Sequence, residues 1–428
     1  IYFKNPGEAT VVNEGLLNRI GRDNLVRVKM GGSGVLPRFE SQLEQFNKKT
    51  NTINGPLLSV ANNNLQNREK RSQVITMLTA TEASKIGLDT AIRNYTGDFD
   101  NNNNIVYENI TRIDSVGSRK GHHISEIDVL EQNGMRYVYG LPVYSIKQKD
   151  FTFSVEGTGD ENNMVNFAAD EPTVDSRNMA NKSKIDGYVQ TQETPAYASS
   201  FLITGLLSPD YVDVKGDGIT EDDLGSAVKF NYNKSSYTHK WRTPRNNTTA
   251  NTAHLNEGIR TEKRDNKATI SYGEREAWYL NSIESKSMVA IFKTDARDDA
   301  KGVNGEMDGR VNANENANKK LIRIDLYTKS EIKTKGITNA RPIKTVNFEY
   351  DYSLCNGTPD NKNGNGKLTL KSVYFTYNGQ LRQKKDRYVF NYGNTASKID
   401  NPSYSYNASD RWGTYKPKVD PISSTANN

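Results

Sequence analysis

Three times in the C-terminal third, an alternating apolar strand is followed by a polar connection and then an aromatic strand. No other feature constrains the fold as much. Leu280–Ile283 runs on to Met288–Phe292, Leu321–Tyr327 leads to Thr345–Tyr350, and Leu368–Phe375 leads to Tyr388–Tyr392. Alternation at period two puts the apolar side chains on one face, so each unit reads as an antiparallel hairpin. Hairpins in succession make a meander whose aromatic face must be covered by a neighbour. The expected fold is therefore mainly β, with successive antiparallel hairpins forming a large curved sheet and a few short helices in the N-terminal part. The hydrophilic connections, Thr294 to Lys319 and Asn356 to Lys367, should hang from one edge of that sheet.

Similar signals lie upstream. Leu25–Met30 alternates like a half-buried strand and stops at Gly31-Gly32, while Phe39, Leu43 and Phe46 recur at helical spacing. Thr81–Gly87 reads as a short helix closed by its glycine. Ile124–Val129, Asn133-Gly134 and Arg136–Tyr139 predict a hairpin whose two turn residues both take positive φ, with a third strand over Asp150–Val155. Residues 156–198 are polar and poorly periodic and read as a long surface excursion. The expected organisation is a mixed α/β segment over 1–120, a β-hairpin region with that excursion over 121–198, and a loop-rich segment over 199–277. The repeated hairpin sheet then covers 278–417, and 418–428 is a polar tail.

Composition narrows the function classes. Lys and Arg number 57 against 51 Asp and Glu, a net charge of +6, and the two signs are interleaved. No basic stripe tracks a phosphate backbone, so nucleic acid is not an expected partner. The single cysteine, Cys355, cannot build an internal disulfide framework, and no run approaches the roughly 18 apolar residues of a membrane helix. The chain opens at Ile1 without a leader and closes on a polar string. It reads as a piece of something longer, whose remainder is its first expected partner.

The chemical motifs are few. Ser208–Leu224 carries Asp213, Asp217, Asp222 and Asp223 around Gly216 and Gly218, the early carboxylates, glycine turn and terminal acid that a hard cation such as calcium needs. A backbone carbonyl near Ile219 would complete the set. Lys215 occupies a position where a ligand is expected, and the alternative reading is a turn whose carboxylates cap backbone amides. His122-His123 with Glu126 and Asp128 invites a metal reading, but adjacent histidines on a strand point to opposite faces, and His239 and His254 sit in polar, loop-like segments. Asn363–Leu368 mimics the end of a phosphate loop with Leu368 where Ser or Thr is required, and reads as a turn. Trp241 and Trp412, both in loop-like segments, are the ligand-binding candidates, whereas Trp278 precedes a strand and belongs to a core. No residue is assigned a catalytic role.

His122–Ile127, Tyr137–Tyr144, the 208–224 loop, Lys344–Cys355 and Asp410–Tyr415 together resemble the N-terminal regions of very large surface or secreted proteins of the Bacteroidota. These are similar in style to RHS/YD-repeat proteins and to the SpvB/TcB shell of toxin complexes. The resemblance spans most of residues 68–417, and Tyr350-Asp351 is a single match to the tyrosine-aspartate repeat. It implies an RHS-like meander at the cell surface or outside the cell, acting as a non-enzymatic shell that encloses or presents a C-terminal effector. Two other functions are compatible with the residues. One is a module that binds a surface glycan or partner through Trp241 and Trp412. The other is a polysaccharide hydrolase with two carboxylates about 5–10 Å apart.

Overall fold

The computed structural model describes residues 26–31, 72–155 apart from 115 and 132, 164–167, 188–245, 250–255, 267–311, 317–361, 365–378, 380–381, 387–393, 401–405, 408 and 414–415. Among them, thirteen strands form one antiparallel sheet. It runs in space through β1 (Val26–Gly31), β2 (Ser72–Thr79), β5 (Ile124–Leu130), β6 (Arg136–Tyr139), β11 (Gly205–Leu207) and β12 (Ala227–Lys234). It continues through β16 (Trp278–Glu284), β17 (Met288–Ala296), β18 (Lys319–Thr328), β19 (Lys344–Leu354) and β20 (Lys367–Tyr377), and both β21 (Gln380–Leu381) and β22 (Arg387–Val389) pair with β20.

A second sheet has seven strands. β10 (Tyr197–Leu202), β7 (Leu141–Ser154), β15 (Lys267–Arg275), β14 (Thr252–Leu255) and β8 (Met164–Asn166) lie in that order, β13 (His239–Thr243) adds to β15, and β9 (Val189–Thr194) adds to β7. β3 (Ile92–Phe99) and β4 (Ile105–Ile110) form a separate hairpin laid against β12, where Asn233 Nδ2 donates to the Tyr95 carbonyl at 2.8 Å.

The repeat in the sequence is the run β16 to β20, in which each strand pairs antiparallel with the one before it. Phe292, Ile324, Val346 and Phe375 stand opposite one another across four strands, a row of apolar and aromatic cross-strand pairs. The mainly β, large-sheet expectation is what the structure shows. Val26–Gly31 also forms the strand expected there, against β2.

Several details differ from expectation. The 294–319 connection does not hang free: Val303 is fully buried, its amide donates to the Lys240 carbonyl at 3.0 Å, and Met307 packs on the core of the second sheet. The 356–367 connection is tied to it, because Asp360 pairs with Arg245 and accepts from the Lys301 amide at 3.1 Å. In the Asn133-Gly134 turn only Gly134 takes positive φ (80°). The Gly134 amide donates to the Glu131 carbonyl and the Glu131 amide to that of Met135, both at 3.0 Å, which makes a longer turn than a two-residue loop.

Two helices are described, and one is not N-terminal. α1 (Ala80–Ile86) has a capping box between Thr79 and Glu82 and ends at Gly87, as the sequence suggests. α2 (Lys329–Lys335) lies in the C-terminal third, with Thr328 as its N-cap accepting from the Glu331 amide at 3.2 Å. The helical spacing of Phe39, Leu43 and Phe46 falls outside the described residues, as does the Asn363-Gly364 turn.

The 156–198 segment also holds strands. β9 and β10 both pair with β7, whose 14 residues are long enough to take one partner on each half. Both strands are largely exposed, so they have no apolar period to betray them. The core they border is Phe151, Phe153, Val155, Val165, Phe167, Ala253, Leu255, Ala268 and Ile270, with Phe153 and Phe167 edge to face at 5.1 Å.

The chain moves between the sheets at Gly140, which separates β6 from β7. A Cβ there would lie 2.7 Å from Thr204 Oγ1 and 3.3 Å from Glu126 Oε2, so only glycine fits this corner. Arg112 locks it from inside. Its guanidinium donates to the carbonyls of Asp89 (2.9 Å), Ser125 (3.2 Å) and Gly140 (3.0 Å), to Ser125 Oγ (3.0 Å), and to Glu126 Oε2 (3.0 Å). Both side chains of this ion pair are 1% exposed, and burial pushes the Glu126 carboxyl up against the opposing pull of Arg112.

Candidate functional site

The Ser208–Leu224 loop leaves β11 and returns to β12 through an isolated bridge between Val212 and Leu224. Tyr211 anchors it: its ring joins Val138 and Leu207 in a buried cluster and its hydroxyl donates to Asp223 Oδ2 at 2.8 Å. Burial, and then the hydrogen bond to Asp223, raise the Tyr211 hydroxyl well above the usual phenol range.

Three of the four expected carboxylates converge. Asp213, Asp217 and Asp223 each bring an oxygen within 4.8 Å of the others. Asp222 does not join them, because Lys215 pairs with it at 2.8 Å and, with the Thr220 hydroxyl, holds its carboxyl down at about 2. The lysine that interrupts the ligand pattern thus removes one ligand.

Two of the three, Asp213 and Asp223, already serve the backbone. Asp213 accepts from the amides of Gly216 (2.7 Å), Asp217 (3.3 Å) and Gly218 (3.0 Å). Asp223, 4% exposed, accepts from the amides of Val214 (3.2 Å) and Thr220 (2.8 Å). These are the bonds of a carboxylate-capped turn. A cation entering here would reach only the lone pairs those amides leave over, which suits weak and unselective binding.

The other candidates are placed as follows. Trp241 sits on β13 rather than in a loop, with its ring flat over Gly273 of β15, where a Cβ would fall 2.5 Å from the indole. Trp412 lies outside the described residues. Trp278 opens β16 and donates from Nε1 to Glu276 at 3.1 Å. His239 and His254 are buried on β13 and β14, each 4% exposed, and not in loops. His122 and His123 precede β5 instead of lying on it. Their rings meet edge to face at 4.7 Å, and Tyr144 Oη is the 3.2 Å neighbour of His123 Nδ1. Cys355 is half-buried at a left-handed φ of 58°, with its amide on Asn401 at 2.8 Å.

Sequence reasoning missed a cleft of about 290 Å³ that the Asp-rich loop walls on one side, with the β3–β4 hairpin and α2 around it. Its residues come from three separated stretches, 93–107, 211–229 and 284–333. The one available signal was Lys229, a lysine set into the alternating run Ala227–Lys234 on the same face as the buried Asn231. Two cleft acids, Glu221 and Glu284, share the Lys329 ammonium at 3.7 and 3.0 Å. Lys333 at 2.6 Å holds Glu221 below the usual carboxylate range, so Glu221 is poorly suited to act as the protonated acid of a glycosidase pair.

Compared with known proteins, the chain matches no family model, no curated protein and no solved structure.

Proposed function

We propose that this chain is a structural segment, a scaffold or shell wall, of a larger exported bacterial protein of the RHS-like kind, without chemistry of its own. One observation carries the reading. From β16 to β20 the large sheet is laid down strictly in chain order, each strand adding beside the last without a crossover. A strip built this way can be lengthened at its edge by further hairpins, which is what a wall requires.

The long connections support the same reading. They fold back and brace the second sheet through buried contacts, including Arg242, 2% exposed, whose Nε donates to the Glu306 carbonyl at 2.9 Å. Rigidity is what such bracing supplies.

The test is mass spectrometry of the full-length parent product recovered from the cell surface and the medium. A cleaved C-terminal fragment that copurifies with this segment is the expected result. An intact chain with nothing enclosed would overturn the shell reading in favour of surface adhesion.

A further inference from the structure

The cleft between the β3–β4 hairpin, the Asp-rich loop and α2 holds more positive charge than its acids neutralise. Glu221 is taken by Lys333 and Lys329, and Glu284 is shared between Lys329 and the Asn231 amide at 2.5 Å. Asp223 is occupied by Tyr211 and by the loop amides. Arg93, at the mouth, pairs with Asp89 at 2.8 Å and stacks over the Tyr107 ring at 4.9 Å.

That leaves two ammonium groups in the cleft with no carboxylate partner among the described residues. Lys286 reaches only the carbonyls of Asp223 (3.1 Å) and Gly225 (3.5 Å). The Lys229 ammonium lies 5.3 Å from the centre of the Tyr95 ring and makes no hydrogen bond or ion pair among those residues. Beneath it the Tyr95 hydroxyl is buried without a hydrogen bond of normal geometry, in a residue 3% exposed. A lysine without a direct ion-pair partner in a partly desolvated position is costly to a fold unless something occupies that partner's place.

We propose that this cleft binds a small organic carboxylate with a ring body, the carboxylate bridging Lys229 and Lys286 and the ring packing against the open edge of Tyr107. Three features select that class. The volume, about 290 Å³, sits at the small end of ligand pockets and suits one ring. Tyr107, 42% exposed, has its ring covered by Arg93 and flanked by Tyr95, and its open edge is what remains for a ring to pack against. Two separate ammonium groups, with the cleft's neighbouring guanidinium already committed to Asp89, match a monoanion better than a phosphate, which is typically cradled by guanidinium forks or clustered amides. The site is independent of the scaffold reading and stands or falls separately.

Burial lowers the Lys229 ammonium to about 8, helped by Arg93 and Lys329 and opposed by Glu284 and Asp89. Binding should therefore weaken as pH rises beyond that value.

The experiment titrates the whole chain calorimetrically with glucuronate and benzoate, with their uncharged counterparts glucose and benzyl alcohol, and with inorganic phosphate. Saturable binding of at least one ring carboxylate, millimolar or tighter, is expected, with no binding of its uncharged counterpart. Lys229→Met and Lys286→Met should each weaken it by about tenfold or more. Lys229→Met removes an unpaired charge and should fold, and Lys286→Met repeats the test at a second position. Failure of both carboxylates to bind, binding of phosphate alone, or binding indifferent to both substitutions would overturn the assignment.

Discussion

The Arg112 guanidinium donates at 3.0 Å to the carbonyl of Gly140, the residue at which the chain leaves one sheet and enters the other. The same guanidinium neutralises the buried Glu126 carboxylate. Corner and charge therefore depend on one side chain.

Arg112→Met should cost about 3–5 kcal/mol, because it strands Glu126 in the interior and frees three carbonyls at once. Denaturant unfolding measures it. The double variant Arg112→Met with Glu126→Gln should recover part of the loss, and a single variant as stable as the wild type would refute the role of the pair.

Lys229 yields a prediction about pH. Its folded pKa of about 8 lies below the usual lysine value, so between about 8 and 10.5 the unfolded chain binds more protons than the folded one. Stability from this group therefore rises with pH through that window. Lys229→Met should flatten the rise and stabilise the ligand-free protein at neutral pH by about 1–3 kcal/mol. A destabilised variant would mean that the ammonium has a partner after all.

The contact between Trp241 and Gly273 can be tested by a double-mutant cycle. Gly273→Ala should destabilise the wild type, because the new methyl meets the indole at 2.5 Å, and should cost much less in a Trp241→Ala background. Equal costs in both backgrounds would show that the ring does not rest there.

Phe153 is fully buried in the seven-stranded sheet, so Phe153→Ala should cost about 3–5 kcal/mol. A loss under about 1 kcal/mol would mean that this core is loosely packed.

For the Asp-rich loop, the amide bonds to Asp213 should keep the turn closed without an ion, so a chelator should leave the melting temperature unchanged while Asp213→Ala lowers it. A fall on chelation that Asp217→Ala abolishes would instead establish calcium at Asp213, Asp217 and Asp223.

What the sequence made legible was whatever followed a period. The strands β16 to β20 could be read because Phe292, Ile324, Val346 and Phe375 all occupy the same phase of an alternating pattern. β9 and β10 escaped because edge strands exposed to water need no apolar face. α2 escaped although Thr328 and Glu331 carry an N-terminal capping pattern, since only Ile332 of that helix is buried and a mostly polar helix leaves no stripe to count. The Asp-rich loop was found as a motif, yet its partners were not. The Tyr211 hydroxyl that holds Asp223, and the Lys286 ammonium that reaches over it, approach through tertiary packing that spacing does not encode.

The interleaving of the two sheets sets an order in time. β7 is complete at Ser154, yet Lys267, its partner on β15, follows 113 residues later, after the chain has gone back to the large sheet and left it again. A chain emerging N-terminus first would carry one long open edge of β7 until that partner arrived. Contacts of this separation make closure slow and leave an adhesive strand exposed meanwhile. The segment would then need to be sheltered, or emerge quickly, until β15 had formed.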